Sequence, residues 1–525
     1  MRWLALAVLL VGCALNPATH EHEFVLMSER DELELGKRAA AEVAKQMRLL
    51  PEDAPIVRYV RAVGRRIAEV SDRPRLVYRF FVVDDPTVNA FALPGGWIYV
   101  NRGLVVHMND EAELAAVIGH EVGHVTARDA VRRYTQVQSY QLGAFVAAVF
   151  VPGAAEVIQT GITDLLALAI IQGYGRKAEM RADRLAVRYL KRAGYDPYAA
   201  VRVMRTLERL ERIDEKEKRE AGEKIQRYHG VFASHPETEK RIEALVKAAA
   251  EAARKAPGER RRMALLRAVE GLPYAESEAE GAVVAGRFIH PKLGIHLVFP
   301  SDWAIENAPE AVRARKRKEK AFALLRTEPL LVKKTPLELL KELAEREKFT
   351  VLVEDEVQDG FRHAALHFPD ARMPKMRRAA ADVHAFVRED QVYYLYLWCP
   401  RDEYLRYQSA FRAIAQSFGR YDPKRDGVIP YIRLIRWPEG ETWSSFADKL
   451  GRPLGPFTAA RLAALNGMDE SETPAVGTWV KIVAFKPGDA LPITTNKGGS
   501  DGRIQRIPGA ARADGGSVGA GAAEL

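Results

Sequence analysis

The stretch Asp110-Glu-Ala-Glu-Leu-Ala-Ala-Val-Ile-Gly-His-Glu-Val-Gly-His124 decides how the first half of this chain folds. Leu114, Val117 and Ile118 recur at helical spacing, and Asp110 with Glu113 reads as a capping pair at the start of the helix. His120 and His124, four residues apart, leave one face of that helix a turn apart, so both reach a single tetrahedral cation. Glu121 sits about 100° further round, placed to act as a general base on water at an open metal position without becoming a ligand. A bare polar cluster in the middle of an apolar helix is costly unless it has a partner, and a metal supplies one.

The third ligand sets the class. A metzincin continues H-x-x-G-x-x-H, but Ala127 and Ala130 stand at those positions, which excludes it. A gluzincin takes a Glu from a later helix, with an Asp one turn on that orients a ligating His. Glu179 and Asp183, at i and i+4 in Gly175-Arg-Lys-Ala-Glu-Met-Arg-Ala-Asp183, supply that pair. Glu156 is a rival, but it has no acidic partner one turn away and follows Pro152-Gly153.

Over roughly residues 24–250 the chain resembles the HtpX/BepA-like gluzincins, relatives of the prenyl-CAAX proteases. Five motifs carry the likeness in the family's order. They are Asn89-Ala-Phe-Ala-Leu-Pro-Gly-Gly96, Gly119-His-Glu-Val-Gly-His-Val125, Arg176-x-x-Glu-x-x-Ala-Asp183, Gly194-Tyr-Asp-Pro197, and Ser234-His-Pro236 followed by Arg241-Ile242. Many members read Ala-Arg-His after the second motif, where this chain has Ala127-Arg128-Asp129. That His is not a ligand in the family, so the change reads as inconsequential. The resemblance implies one Zn2+ per chain held by His120, His124 and Glu179. It also implies Glu121 as the catalytic base and Asp183 behind a ligating His. Residues 89–100 read as strand, turn and strand. In the family this element borders the cleft, so Asn89, Ala90 and Phe91 are expected to hold a peptide as an added strand. His235 and Arg241 match a motif near the active site, where either stabilises the oxyanion; a resting contact of His235 with zinc is the alternative. Asp196-Pro197 reads as a helix cap.

At the N-terminus Arg2 precedes a short apolar run, and Leu10-Val-Gly-Cys13 reads as a bacterial lipobox. Residues 1–12 are then a lipoprotein signal peptide and Cys13 the lipidated residue. Ala14 after it, by resemblance to Gram-negative lipoproteins, favours the outer membrane, facing the periplasm. The other cysteine, Cys399, reads as a packed small hydrophobe. Residues 139–171 are apolar but broken by Pro152-Gly153 and Thr160-Gly161, too short in any piece to span a bilayer. They are expected as helices over the protease core.

The fold expected is multidomain: a mainly α-helical gluzincin protease domain with a small β-sheet (24–256), then an α+β sandwich (281–420), then a small LysM-like domain (430–485). The sandwich resembles the PsbP-type sandwiches, and its His363, His367 and His384 read as scattered surface residues. The third unit resembles LysM modules through Gly440-Glu-Thr-Trp443, Leu465-Asn-Gly467 and Gly477-Thr-Trp-Val-Lys-Ile482 in a strand–helix–helix–strand order, which implies peptidoglycan as a partner. A Gly-, Ala- and Pro-rich tail (487–525) is expected to be disordered. The net charge of +9 is spread in short basic runs without an aromatic platform, which argues against nucleic acid. Two functions follow. One is a zinc metalloendopeptidase of the bacterial cell envelope, membrane-attached by its lipid, acting on unfolded or misassembled envelope proteins. The other is a non-catalytic envelope adaptor or wall-binding lipoprotein with a vestigial zinc site.

Overall fold

A computed structural model of the chain describes residues 13–25, 27–136, 174–220, 238–254, 257–284, 286–308, 310–317, 319–344, 347–374, 376–451 and 454–484. The segments 1–12, 139–171 and 487–525, for which a signal, covering helices and a tail were expected, lie outside the described residues, as does His235.

A short hairpin, β1 (Cys13–Leu15) with β2 (His22–Phe24), is the first of the described elements. Helix α1 (Glu29–Gln46) follows, with Ser28 accepting the Asp31 N–H as its cap. Helix α2 (Pro55–Glu69) buries Ile56, Val60, Val63 and Ile67, as their spacing dictates. Then comes a three-stranded sheet of β3 (Arg79–Val83), β4 (Ala90–Leu93) and β5 (Trp97–Asn101), in the order β3-β5-β4. α1 lies close over the turn between β4 and β5, because Gly36 has no Cβ: one there would fall 1.9 Å from the Pro94 carbonyl oxygen. On the other face of the sheet, Ala90, Ala92, Ile98 and Val100 share a core with Leu114, Ile118 and Val122 of α4 (Glu111–Thr126), which follows the short α3 (Arg102–His107). Asp110 Oδ1 accepts the Glu113 N–H at 2.9 Å, and Glu113 Oε2 accepts the Asn109 N–H at 2.7 Å, so the expected pair caps α4. Helices α5 (Arg176–Arg192), α6 (Ala199–Glu220), α7 (Thr238–Ala253) and α8 (Arg262–Val269) complete the bundle.

This unit is longer at both ends than the expected 24–256. Asn16 Nδ2 donates to Ala127 O at 2.9 Å, just past the end of α4, and Arg132 pairs with Glu23, so the leading hairpin belongs to it. At the far end Leu265 and Val269 of α8 lie in its core. Neither addition has a motif of its own; each is recruited by burying apolar or hydrogen-bonding surface against α4 and α2.

The second unit packs two antiparallel sheets. One has β6 (Ala282–Val284), β7 (Arg287–His290), β8 (Ile295–Val298) and β16 (Gly419–Arg420). The other has seven strands, β9 (Trp303–Ala308), β10 (Ala311–Lys316), β11 (Phe322–Pro329), β12 (Thr350–Gln358), β13 (Phe361–Met373), β14 (Met376–Arg388) and β15 (Gln391–Pro400), in the order β12-β13-β14-β15-β11-β10-β9. Helix α9 (Pro336–Ala344) covers the outer face of the large sheet, and α10 (Tyr404–Gln416) packs in the core with Phe288, Phe361, Phe386 and Phe418. Cys399 is fully buried in that core, and burial pushes its thiol up to about 12. The reading of scattered surface histidines is corrected here. His363 and His384 are buried and stacked, with His363 Nε2 3.0 Å from His384 Nδ1, while His367 Nδ1 meets Asp382 Oδ1 at 2.7 Å. A diagonal cross-strand relation between β13 and β14 brings the first two together, a neighbour relation that linear spacing does not show.

The third unit runs strand β17 (Tyr431–Arg436), two helices (Trp443–Lys449 and Thr458–Leu465) and strand β18 (Trp479–Ala484), the strands antiparallel. It does not keep a core of its own. Trp437, Trp443, Phe446, Leu462 and Ile482 join the same buried cluster as α2, α4 and α6. The buried Lys481 clamps the join, its Nζ donating to Val106 O and Met108 O, both at 2.7 Å. Those carbonyls end α3, immediately before the helix that carries His120. Among the described residues, no helix is long and apolar enough to cross a membrane.

Candidate metal centre

Helices α4 and α5 meet along a seam of small residues. A Cβ on Gly123 would lie 3.2 Å from Ala182 Cα, and one on Gly119 would lie 3.4 Å from Ala186 Cα. Glycine on α4 facing alanine on α5 is what lets Glu179 and Asp183 reach the histidines. His120 Nε2 lies 3.0 Å from His124 Nε2 and 3.3 Å from Glu179 Oε2, and His124 Nε2 lies 3.6 Å from Glu179 Oε1. A tetrahedral ion with bonds of 2.0–2.1 Å separates its ligand atoms by about 3.3 Å. The three side chains are the single potential metal-holding group among the described residues.

Both imidazoles are oriented from behind. His120 Nδ1 is 3.0 Å from Asp183 Oδ1, and His124 Nδ1 is 2.9 Å from Asp129 Oδ2. A carboxylate on Nδ1 holds the proton there and turns the Nε2 lone pair inward on each ring. Two lone pairs 3.0 Å apart beside a buried carboxylate call for a cation. In the bare protein a proton answers: burial disfavours a charged His120, but Asp183 and Glu179 outweigh it and raise the imidazole to about 10. The donor set, spacing and charge therefore fit a divalent zinc ion.

Arg241, on α7, is almost fully buried and donates Nε and Nη2 to Asp183, both at 2.8 Å, while Nη1 stands 3.5 Å from Glu179 Oε2. Burial would raise the Asp183 carboxyl, but Arg241 and His120 hold it down to about 2. The oxyanion role expected for Arg241 thus meets a guanidinium already committed to Asp183. Glu121 is buried and lines, with His120, an apolar recess bounded by Ala90, Val117, Ala186, Val203 and Met204. Of the three expected peptide-binding residues, Ala90 borders this recess. Asn89 gives its carbonyl to the Asn101 N–H, and the Phe91 ring stacks on Tyr99 at 4.8 Å on the opposite face of the sheet, toward α1. The Phe91 side chain therefore points away from the recess, since alternate strand residues face opposite sides.

Two residues of the site escaped the sequence reading. Asp129, dismissed as an inconsequential departure, is the partner of His124, and its other oxygen takes Arg181. A carboxylate five residues past a ligating His, just beyond the helix end, was the available signal. Tyr174 gave none: its ring lies 4.5 Å from that of His124, and its hydroxyl donates to Ala92 O at 3.2 Å. Burial first, then the charges of Glu121, Asp129 and Glu179, hold its phenol well above the usual range.

An H-E-x-x-H helix, a carboxylate from a second helix that could complete a metal-holding group, and Glu121 in the adjoining recess form the arrangement of a gluzincin-type metallopeptidase domain. Residues 57–249 match the model of Peptidase family M48, and this segment is similar to that family. Among curated relatives, the mitochondrial metalloendopeptidase OMA1 of Schizosaccharomyces pombe is 31% identical over 210 residues, 38% of this chain and 60% of that protein. A putative beta-barrel assembly-enhancing protease of Vibrio cholerae is 31% identical over 171 residues, 29% of this chain and 34% of that protein. The chain thus spans 60% or less of the length of these relatives. Among solved structures, the cyanobacterial PsbP of Synechocystis matches at 15% identity, covering 26% of this chain and 91% of that one, with a TM-score of 0.20.

Proposed function

We propose that this chain is a zinc-dependent metalloendopeptidase of the bacterial cell envelope that cleaves peptide bonds in unfolded or misassembled envelope proteins. The observation that carries it is the convergence of His120, His124 and Glu179 beside Glu121. His120, His124 and Glu179 would hold one zinc ion, which would supply a Lewis acid for the scissile carbonyl. Glu121 takes a proton from the attacking water and passes it to the leaving amine nitrogen as the C–N bond breaks. Asp183 and Asp129 keep the two imidazoles in the ligating tautomer, and Arg241 positions Asp183. His235 belongs to this proposal only through its sequence motif.

The envelope assignment rests on the lipobox at Cys13 and on the relatives whose names place them in beta-barrel assembly. A lipid on Cys13 would hold the protease at the outer membrane, facing the periplasm. For residues 430–484 we favour a structural role over glycan binding, because their apolar side chains are spent on the core shared with α4 and α6. Metal analysis with casein cleavage tests the reading. Wild type is expected to carry about one zinc and cut casein, and Glu121→Gln to keep the metal and lose turnover. Absence of both zinc and hydrolysis in the wild type would sink it.

A further inference from the structure

Strand β4 is the edge of its sheet beside the metal centre. The Asn101 N–H donates to Asn89 O, so residues 89 and 101 form a hydrogen-bonded pair of the antiparallel ladder. In such a ladder hydrogen-bonded and non-hydrogen-bonded pairs alternate. Phe91 and Leu93 therefore spend their backbone groups on β5, and Ala90 and Ala92 turn theirs to the outer edge, where no strand pairs with them among the described residues. The Ala92 carbonyl on that edge is occupied by the Tyr174 hydroxyl, while the Tyr174 ring covers His124. Tyr174 immediately precedes Gly175, whose φ of 85° and ψ of 158° belong to a region open essentially to glycine alone. Among the described residues, nothing stands within 4 Å of where a Gly175 Cβ would be.

We propose that Tyr174 is a specificity-determining residue of the cleft, a side-chain stand-in for a substrate N–H at the Ala92 carbonyl, so that only an extended peptide strand displaces it. The inference rests on the metallopeptidase reading and deepens it by naming the substrate class. A segment that pairs with both Ala90 and Ala92 regains the hydrogen bond lost at Ala92 and gains up to three more. A residue held in a folded loop or helix offers no free N–H in line and leaves the latch closed. Displacing the phenol also uncovers His124, so binding along the edge and opening of the metal centre are one event.

The test uses Tyr174→Phe, which keeps the ring on His124 and removes only the hydroxyl. Fluorescein-labelled β-casein, a disordered probe, is titrated by anisotropy against the zinc-loaded full chain carrying Glu121→Gln, with and without Tyr174→Phe. Release of one competing hydrogen bond is expected to tighten Kd about 3- to 10-fold. In the Glu121 background the same change is expected to lower KM by a similar factor and leave kcat within about 2-fold. Tyr174→Leu, which also removes the ring's contact with His124, is expected to tighten Kd at least as much. Unchanged or weaker binding in both variants overturns the proposal. A tenfold or greater fall in kcat at constant KM for Tyr174→Phe also overturns it, because the hydroxyl then acts on the reacting atoms. If the zinc-loaded wild type fails to cut casein, the metallopeptidase reading falls, and the Kd ratio still decides the role of Tyr174.

Discussion

Replacing Asp129 by Asn isolates the orientation of His124 from everything else at the centre. The side chain is almost wholly buried, with one oxygen 2.9 Å from His124 Nδ1 and the other taken by Arg181. Asn has the same shape, but one of its two terminal atoms becomes a donor. It therefore faces either the His124 N–H or the Arg181 guanidinium with the wrong polarity, and it has lost the charge that strengthened both contacts. A hydrogen bond to a charged acceptor contributes about 1.5–3 kcal/mol. If most of that difference appears in metal binding, zinc affinity falls about 10- to 100-fold, the usual range for losing such a partner. The assay is competition against a chromogenic chelator at pH 7.5, with thermal melting of the zinc-free protein as a control for folding. Kinetics at saturating zinc are expected to recover most of the rate, since ligands and base remain. A zinc Kd within 2-fold of wild type would refute the reasoning and return Asp129 to a purely structural pairing with Arg181.

Arg241→Met removes the guanidinium that holds Asp183 low, so zinc affinity is expected to fall about 10-fold or more while Glu121 and the ligands stay in place; an unchanged chelator competition would contradict this. Lys481→Met leaves the Val106 and Met108 carbonyls without their donor and is expected to cost about 2–4 kcal/mol in urea unfolding, a loss that an unaltered midpoint would exclude. Burial pushes His363 down to about 4 and His384 to about 3, so the native sandwich prefers both neutral. Their stabilisation is complete above the ordinary value near 6.5 and is lost as pH falls through that window toward 4, with His363 alone costing about 2 kcal/mol at pH 5. Urea titrations at pH 7 and pH 5, compared with the double variant His363→Gln/His384→Leu, are expected to show a smaller acid loss in the variant, and equal losses would refute the assignment.

Local pattern reached a long way into this chain. The cap at Asp110, the apolar face of α4, the H-E-x-x-H spacing and the i, i+4 pair Glu179/Asp183 are legible because a helix fixes which residues share a face. The strand–turn–strand at 89–100 was legible for a similar reason, since alternation and Pro-Gly-Gly punctuate it. Tertiary packing alone decided the rest. It brings Glu179 to the histidines through the Gly119/Gly123 seam, turns Arg241 onto Asp183 and sets Tyr174 on Ala92, contacts 58 and 82 residues apart in the two latter cases. It folds residues 430–484 into the protease core and pairs His363 with His384 across two strands. Periodicity names the face a residue occupies on its own helix or strand, but which other element covers that face is settled by close packing and by pairing buried charges, and neither is written in linear spacing.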